Sequence, residues 1–396
     1  MSEKTELKGT SNKFYAVGKV RANKKNGFVI DATSKNNDSY IYSSATLHLD
    51  CGKERLSFAQ LMGGYDIHEP LSIRVHGKDA SGKDDFNKRF DIDWEDRFDK
   101  DTLESVGNNN FIIVGLETYE DNAGNSKVLY KRFLSAYDAI PYVQEHLKED
   151  SVIKINGDLR FSDYEGKTNI SKNITYIALS NVKEEDFYAT FRLKLLVDKE
   201  SLGDKDEDGL VSLSGYVIDW HKPAKGNIAM PYTIFIDPSK YSKWDNIAKK
   251  FKPKKENEIW LWGIEGSYVI QSETIETTVD DLPDDLKEMV EDGMISEEEA
   301  VARVVGGNKS KEIALFNSFQ TKKNADGVDE YDKETDLYTT EDLIFAKDFD
   351  KKGKSDKSKS TSKKKGETPK DPFAKTNKSK ISGLDEDLEA FMNGLN

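Results

Sequence analysis

Cysteine is almost missing from this sequence. Cys51 alone leaves no partner for an intramolecular disulfide, and the five histidines are scattered with no CxxC or HxxxH spacing from which a zinc site is built. No run of about 18 apolar residues occurs. The opening stretch from Met1 to Glu6 carries no apolar signal core, so neither secretion nor membrane insertion is expected. The expected setting is a reducing cytoplasm, that of a host if the chain is viral, with no cofactor and no metal. Apolar residues make up only 36% of the 396 positions and charged ones 33%, which allows two or three packed cores but leaves some stretches solvated.

The net charge of -14 runs against a phosphate-bearing partner, because phosphate binding requires Lys and Arg to displace counterions. The distribution changes that reading. Lys13, Lys19, Arg21, Lys24 and Lys25 fall between Asn12 and Ile30 with no acid among them, whereas Asp280 to Glu299 holds ten acids against Lys287 alone.

Alternation of apolar and polar residues predicts strands from Lys13 to Arg21, Phe28 to Asp31 and Tyr40 to Leu49, with a turn at Asn23 to Gly27. From Cys51 to about Tyr119 the pattern is less regular and reads as an elaboration on a barrel. Lys127 to Leu134 is strand-like. Ser135 then offers an N-cap, with Asp138 at the capping-box position, to a helix whose apolar face carries Tyr137, Ile140, Val143 or Gln144, and Leu147. Strands follow at Ser151 to Phe161 and Asn169 to Ser180. A second set occupies Leu210 to Trp220, Pro231 to Asp237 and Glu258 to Ile270, with a short helix around Trp244 to Phe251. Many strands, few helices and no βαβ rhythm predict a mainly β chain of tandem OB-type Greek-key barrels.

The expected division is a disordered N-terminus over 1–11, a first barrel over 12–185 with an insertion at about 50–125, and a second barrel over 186–278. An acidic helical and irregular segment over 279–349 follows, its helical hairpin bounded by Pro283, Gly293, Ser296 and Gly306. Asp350 to Lys380 holds 12 Lys against 4 acids among Ser, Thr and Gly, a composition expected to form a disordered linker. The tail, 381–396, is acidic and apolar, and Leu384, Leu388, Phe391 and Leu395 share one helical face.

The stretches Tyr130 to Leu134, Ala136 to Leu147, Val152 to Arg160 with its mid-strand Gly157, and Gly166-Lys167 resemble the single-stranded DNA-binding protein family of bacteria and phages, as does the opening strand Phe14 to Val20. The resemblance covers roughly residues 12–182. It implies an OB fold, no catalytic activity, and partner recruitment through the acidic tail, with Leu384, Asp385, Asp387, Leu388, Phe391 and Leu395 as the docking residues. The family's proline-phenylalanine tip is replaced here by Asn393 to Asn396, and the linker is unusually rich in lysine, so partners of a phage's own are implied.

Binding a single strand without sequence preference requires cations along the backbone and aromatic faces for the bases. The candidates are Lys19, Arg21, Lys24 and Lys25, then Tyr40, Tyr42, Tyr130, Lys131, Arg132, Arg160, Tyr164 and Lys167, with Trp220 and Lys222 in the second barrel. Phe14, Phe28, Phe133 and Phe161 are assigned to the core. Trp260 and Trp262 share a strand face and either fill the second barrel or stack bases. Asp204 to Gly209 matches half of an EF-hand loop, but Gly215 stands where the bidentate Glu belongs. Gly166 to Thr168 sits in a hairpin and lacks the earlier glycine of a P-loop. Asp91, Asp93, Glu95 and Asp96 have no partner cluster elsewhere to form a two-metal site. The expected function is coating and protection of single-stranded DNA during phage replication, recombination or repair. The alternative is an interaction adaptor or virion structural protein that uses the barrels as scaffold.

Overall fold

The computed structural model describes residues 5–350 apart from 22–26, 36, 53–55, 70, 165–166 and all but Lys287 and Val290 of 274–308. The chain opens with β1 (Lys13–Val20), β2 (Phe28–Thr33), β3 (Tyr40–Asp50) and β4 (Leu56–Asp66). An excursion follows, made of β5 (Ser72–Lys78), β6 (Asp84–Asp93), the short helix α1 (Lys100–Glu104), β7 (Ile112–Glu120) and β8 (Ser126–Phe133). Helix α2 (Ala136–His146) leads back to β9 (Val152–Tyr164) and β10 (Lys167–Leu179).

Pairing closes these strands into a ring. β1 runs antiparallel to β3 at Lys19 and Asp50, and β3 to β4 along their length. β4 meets β10 in parallel at Gln60 and Asn173, β10 pairs β9, and β9 returns to β1. In chain order the ring reads 1-2-3-5-4-1 with a helix between the third and fourth strands, which is the OB barrel.

The same ring recurs downstream. β11 (Tyr188–Val197), β13 (Val211–His221), β14 (Gly226–Ile236), β15 (Trp260–Glu273) and β16 (Lys309–Phe319) close in the same order, with α3 (Trp244–Lys250) after the third strand. β12 (Leu202–Lys205) is added at the edge of β13. The fold is therefore mainly β, two OB-type barrels in tandem, as the alternation implied. The first strands of the two barrels pair antiparallel, Lys13 with Arg192 and Val17 with Tyr188, so the barrels share one sheet. The central row across this seam is Gly157, Phe14, Phe191 and Gly266, with each barrel's phenylalanine opposite a glycine.

Four expectations are corrected. The excursion begins after Asp66 and not at about 50, because β4 is the third barrel strand; its Ala59 and Leu61 are buried in the core. The second barrel does not end at 278: its fifth strand is β16, which lies beyond the acidic stretch and buries Phe316. Residues 5–11 are not disordered, since Leu7 is fully buried against the second barrel. The capping box at α2 does not form. Ser135 Oγ does accept the Tyr137 N–H at 3.2 Å, but the Asp138 carboxylate is turned to Arg97, 2.9 Å away. That ion pair is buried, and Arg97 also lies over Trp94 at 4.2 Å, which fastens the excursion to the start of α2.

Phe14, Phe133 and Phe161 are core residues and Phe28 packs partly buried against them. Trp260 and Trp262 resolve to the core, the latter 2% exposed, with Lys333 Nζ 3.2 Å from the Trp260 ring. Asp204 and Lys205 end β12 and Asp206 to Gly209 turn into β13, while Lys167 and Thr168 begin β10 and Gly166 lies outside the described residues. Asp91 is paired with Arg74 at 3.0 Å. The acidic helical hairpin, the Lys-rich linker and the tail lie outside the described residues, apart from Lys287, Val290 and Asp350.

Candidate functional site

In an OB barrel the ligand face is the outer side of the second and third strands. In the first barrel these are β3 and β4. Alternation sends Ala45, Leu47, Leu49, Ala59 and Leu61 inward and leaves Tyr42, Ser44, Thr46 and His48 outward, beside Phe58, Gln60 and Met62. Cross-strand register pairs Ser44 with Met62, Thr46 with Gln60 and His48 with Phe58. Phe58 is 46% and Met62 58% exposed, unusual for side chains of this type on a well-formed sheet.

Bonds to neighbouring strands tie this face to the rest of the molecule. Gln60 Nε2 donates to Asn173 Oδ1 at 3.1 Å. Lys172 Nζ sits 4.8 Å from the Phe58 ring and 3.9 Å from that of Tyr268, and reaches Glu312 Oε1 of the second barrel at 2.5 Å. Burial pulls the Lys172 ammonium below its ordinary pKa, opposed by the Glu312 carboxylate. Burial also holds His48 below its usual value. Near neutral pH His48 thus adds an uncharged ring to the face, 6.2 Å from that of Phe58.

The sequence-predicted residues divide into groups. Tyr42 lies on the face, and the Tyr40 ring packs over Gly64, where a Cβ would come within 2.9 Å of it. Lys19 is exposed on β1, and Arg21 pairs with Asp50 at 2.7 Å at the same barrel edge. Lys24 and Lys25 fall outside the described residues, as does the Tyr164 side chain. Lys167 is exposed at the start of β10.

Arg160 and Trp220 come together across the barrels. Buried Asp219 accepts the N–H groups of Phe161 and Trp220, each at 2.8 Å, and is approached by Arg160 Nη1 at 3.4 Å. Trp220 is left 57% exposed, with Lys222 exposed in the turn that follows. Tyr130, Lys131 and Arg132 do not join the face. Tyr130 hydroxyl meets that of Tyr176 at 3.4 Å, Arg132 lies over Phe111, and Lys131 is held by Glu117 at 3.3 Å and the Tyr142 ring. Leu384, Asp385, Asp387, Leu388, Phe391 and Leu395 all lie outside the described residues.

The corresponding face of the second barrel is filled by the chain itself. Ile218 and Ala229, outward on β13 and β14, are buried under Leu7, Tyr338 and Leu343. Lys8 N donates to the Tyr338 hydroxyl at 2.9 Å and Ala229 N to Ile344 O at 2.8 Å. Asp342 Oδ1 accepts the Thr5 N–H at 2.7 Å while its Oδ2 accepts the Thr339 N–H at 2.8 Å. These bonds lower the Asp342 pKa, with the Thr339 backbone bond first among them. The carboxylate therefore stabilises the strap fully above the unfolded-state pKa, about 3.9. That contribution disappears as pH falls through the lower folded value. Protection of the amides at residues 5–10, taken as the exchange rate relative to the intrinsic rate at each pH, should fall in acid before the barrels unfold, and the Asp342→Asn variant should show the lost protection already at neutral pH.

The YorF family model matches residues 79–360. The chain belongs to the YorF family. No curated protein matches this YorF chain. Among solved structures, the wild-type single-stranded DNA-binding protein from Thermus aquaticus is similar at 8% identity and a TM-score of 0.30, covering 67% of this chain and 87% of that one. A deletion mutant of the same Thermus aquaticus protein gives 8% identity and a TM-score of 0.29, covering 67% and 89%. No helix among the described residues of the YorF chain is long and apolar enough to cross a membrane.

Proposed function

We propose that the chain binds single-stranded DNA without sequence preference on the β3–β4 face of the first barrel. The observation that carries this reading is the exposed pair Phe58 and Met62, with the half-buried His48 ring beside Phe58, on the ligand side of an OB barrel next to amide and hydroxyl groups. Flat rings and a thioether suit stacking against any base, while the cationic stretch from Lys19 to Lys25 and Lys167 supply phosphate contacts. The first barrel serves the nucleic acid and the second, its face closed, acts as support. In this reading the tail residues around Phe391 recruit replication, recombination or repair proteins, and the chain performs no catalysis.

Fluorescence anisotropy with labelled oligo-dT, against duplex DNA and poly-U across salt, tests this. Tight, salt-sensitive binding that prefers the single strand is expected. The Phe58→Ala variant should weaken it roughly tenfold or more, since one stacked base contributes about 1–3 kcal/mol. The net charge of -14 favours the adaptor reading instead. Absence of binding at low salt would sink the DNA reading and promote that alternative.

A further inference from the structure

The outward faces of β9, β1, β11 and β15 form one continuous floor across the seam between the barrels. Register sets its rows: Asp158, Lys13, Arg192 and Glu265 in one, then Asn156, Tyr15, Thr190 and Ser267 in the next. The excursion from the first barrel rises beside this floor as a wall that includes Phe86, Asn109 and Tyr130, enclosing a groove of about 1350 Å³.

The groove is built in advance of any ligand. Asp84 accepts the N–H groups of Asn108 and Asn109 at 2.6 and 2.9 Å, and Asn110 Nδ2 donates to His76 O and Gly107 O. The loop is thereby fixed with its amides at the rim. Both acids of the floor are already neutralised, Asp158 by Lys13 at 2.6 Å and Glu265 by Arg192 at 2.7 Å. Lys127 and Lys154 also line the groove; Lys127 Nζ lies 3.9 Å from Asp121 Oδ2, so Lys154 supplies the positive charge beyond the paired rows of the floor. Phe86 is 56% exposed, and the Arg192 guanidinium lies 5.7 Å from the Tyr15 ring.

We propose that this groove is a second binding surface for the same single strand, so that a long strand engages the β3–β4 face and then the seam. This rests on the DNA-binding reading above. Exposed rings, side-chain amides and surplus positive charge match bases and phosphates. The row from Asn156 to Ser267 is polar but for the Tyr15 ring, which suits bases and phosphates better than the apolar core of a permanent interface between copies.

The test uses the full chain carrying Phe86→Ala with Lys154→Glu, its fold checked by near-ultraviolet circular dichroism, and oligo-dT of about 6 and about 30 nucleotides, spanning the range of OB site sizes. Affinity for the longer strand should fall roughly tenfold, and the salt slope should shrink by about 0.7 for each phosphate that the variant no longer neutralises. Affinity for the shorter strand, which depends on Phe58, should not change. Unchanged affinity for both lengths overturns the groove and leaves the β3–β4 reading intact. A shift from dimer to monomer in sedimentation, with unchanged long-strand affinity, also overturns it and assigns the groove to a second copy. Failure of the parent chain to bind either length overturns the DNA reading itself and the groove with it.

Discussion

Replacing Lys172 with methionine is expected to destabilise the protein by about 3–5 kcal/mol, the range for removing one member of a buried ion pair. The Lys172 side chain is 4% exposed and that of Glu312 17%, so water cannot take over the role of the missing ammonium. The pair joins β10 of the first barrel to β16 of the second, which makes it a tie between domains as well as a local interaction. Its loss should also be felt at the candidate face, because the same ammonium lies under the Phe58 ring. The double variant Lys172→Met with Glu312→Leu should recover most of the stability, since an apolar pair of similar volume leaves no charge unmatched. Urea denaturation of the two variants measures this. A single-variant loss below about 1 kcal/mol would mean that the pair is solvated and that the barrels are held by the seam and the Asp219 bonds to Phe161 and Arg160.

How much of this was legible in the sequence depended on where the pattern was local. Period-2 alternation and the Ser135 cap located β1, β3, β9, β10, β13 and α2, because these follow from nearest-neighbour chemistry. β4 was hidden because Gly63 and Gly64 interrupt its alternation. With β4 went Phe58 and Met62, the most exposed part of the face. The alternation of Phe58, Gln60 and Met62 against Ala59 and Leu61 was a signal that could have found them. β16 was missed for a different reason: it pairs with β15 across the long acidic stretch, and no local pattern reports so distant a partner. The covering of the second barrel's face was also out of reach, since it depends on Leu7 meeting Tyr338 and Leu343 from the far end of the chain. Arg160 and Trp220 were chosen separately as candidates. Only the buried carboxylate of Asp219 makes neighbours of them.

Gly157 and Gly266 are expected to be the least replaceable glycines among the described residues, and Gly266→Val should destabilise by about 3 kcal/mol through overpacking. A Cβ at Gly157 would lie 1.9 Å from Asn173 O, and one at Gly266 would lie 2.3 Å from Leu315 O and 2.1 Å from Phe191 Cζ. Both stand on the fourth strand of their barrel beside a register shift with the fifth, where the backbones approach closely. The repetition has a physical cause. Each barrel closes by curling its fourth strand over the phenylalanine of its first, and a side chain there would hold the two apart. Phe14 and Phe191 are themselves paired across the seam, so valine at Gly266 should push Phe191 and disturb the first barrel too. Gly226→Ala is the control, with its nearest neighbour 3.8 Å away and an expected change within about 0.5 kcal/mol. If Gly266→Val unfolds the second barrel while the first keeps its stability and its oligonucleotide affinity, the seam is a joint between independent units. A single shifted transition, with both lost together, makes the row from Gly157 to Gly266 the core of one cooperative fold.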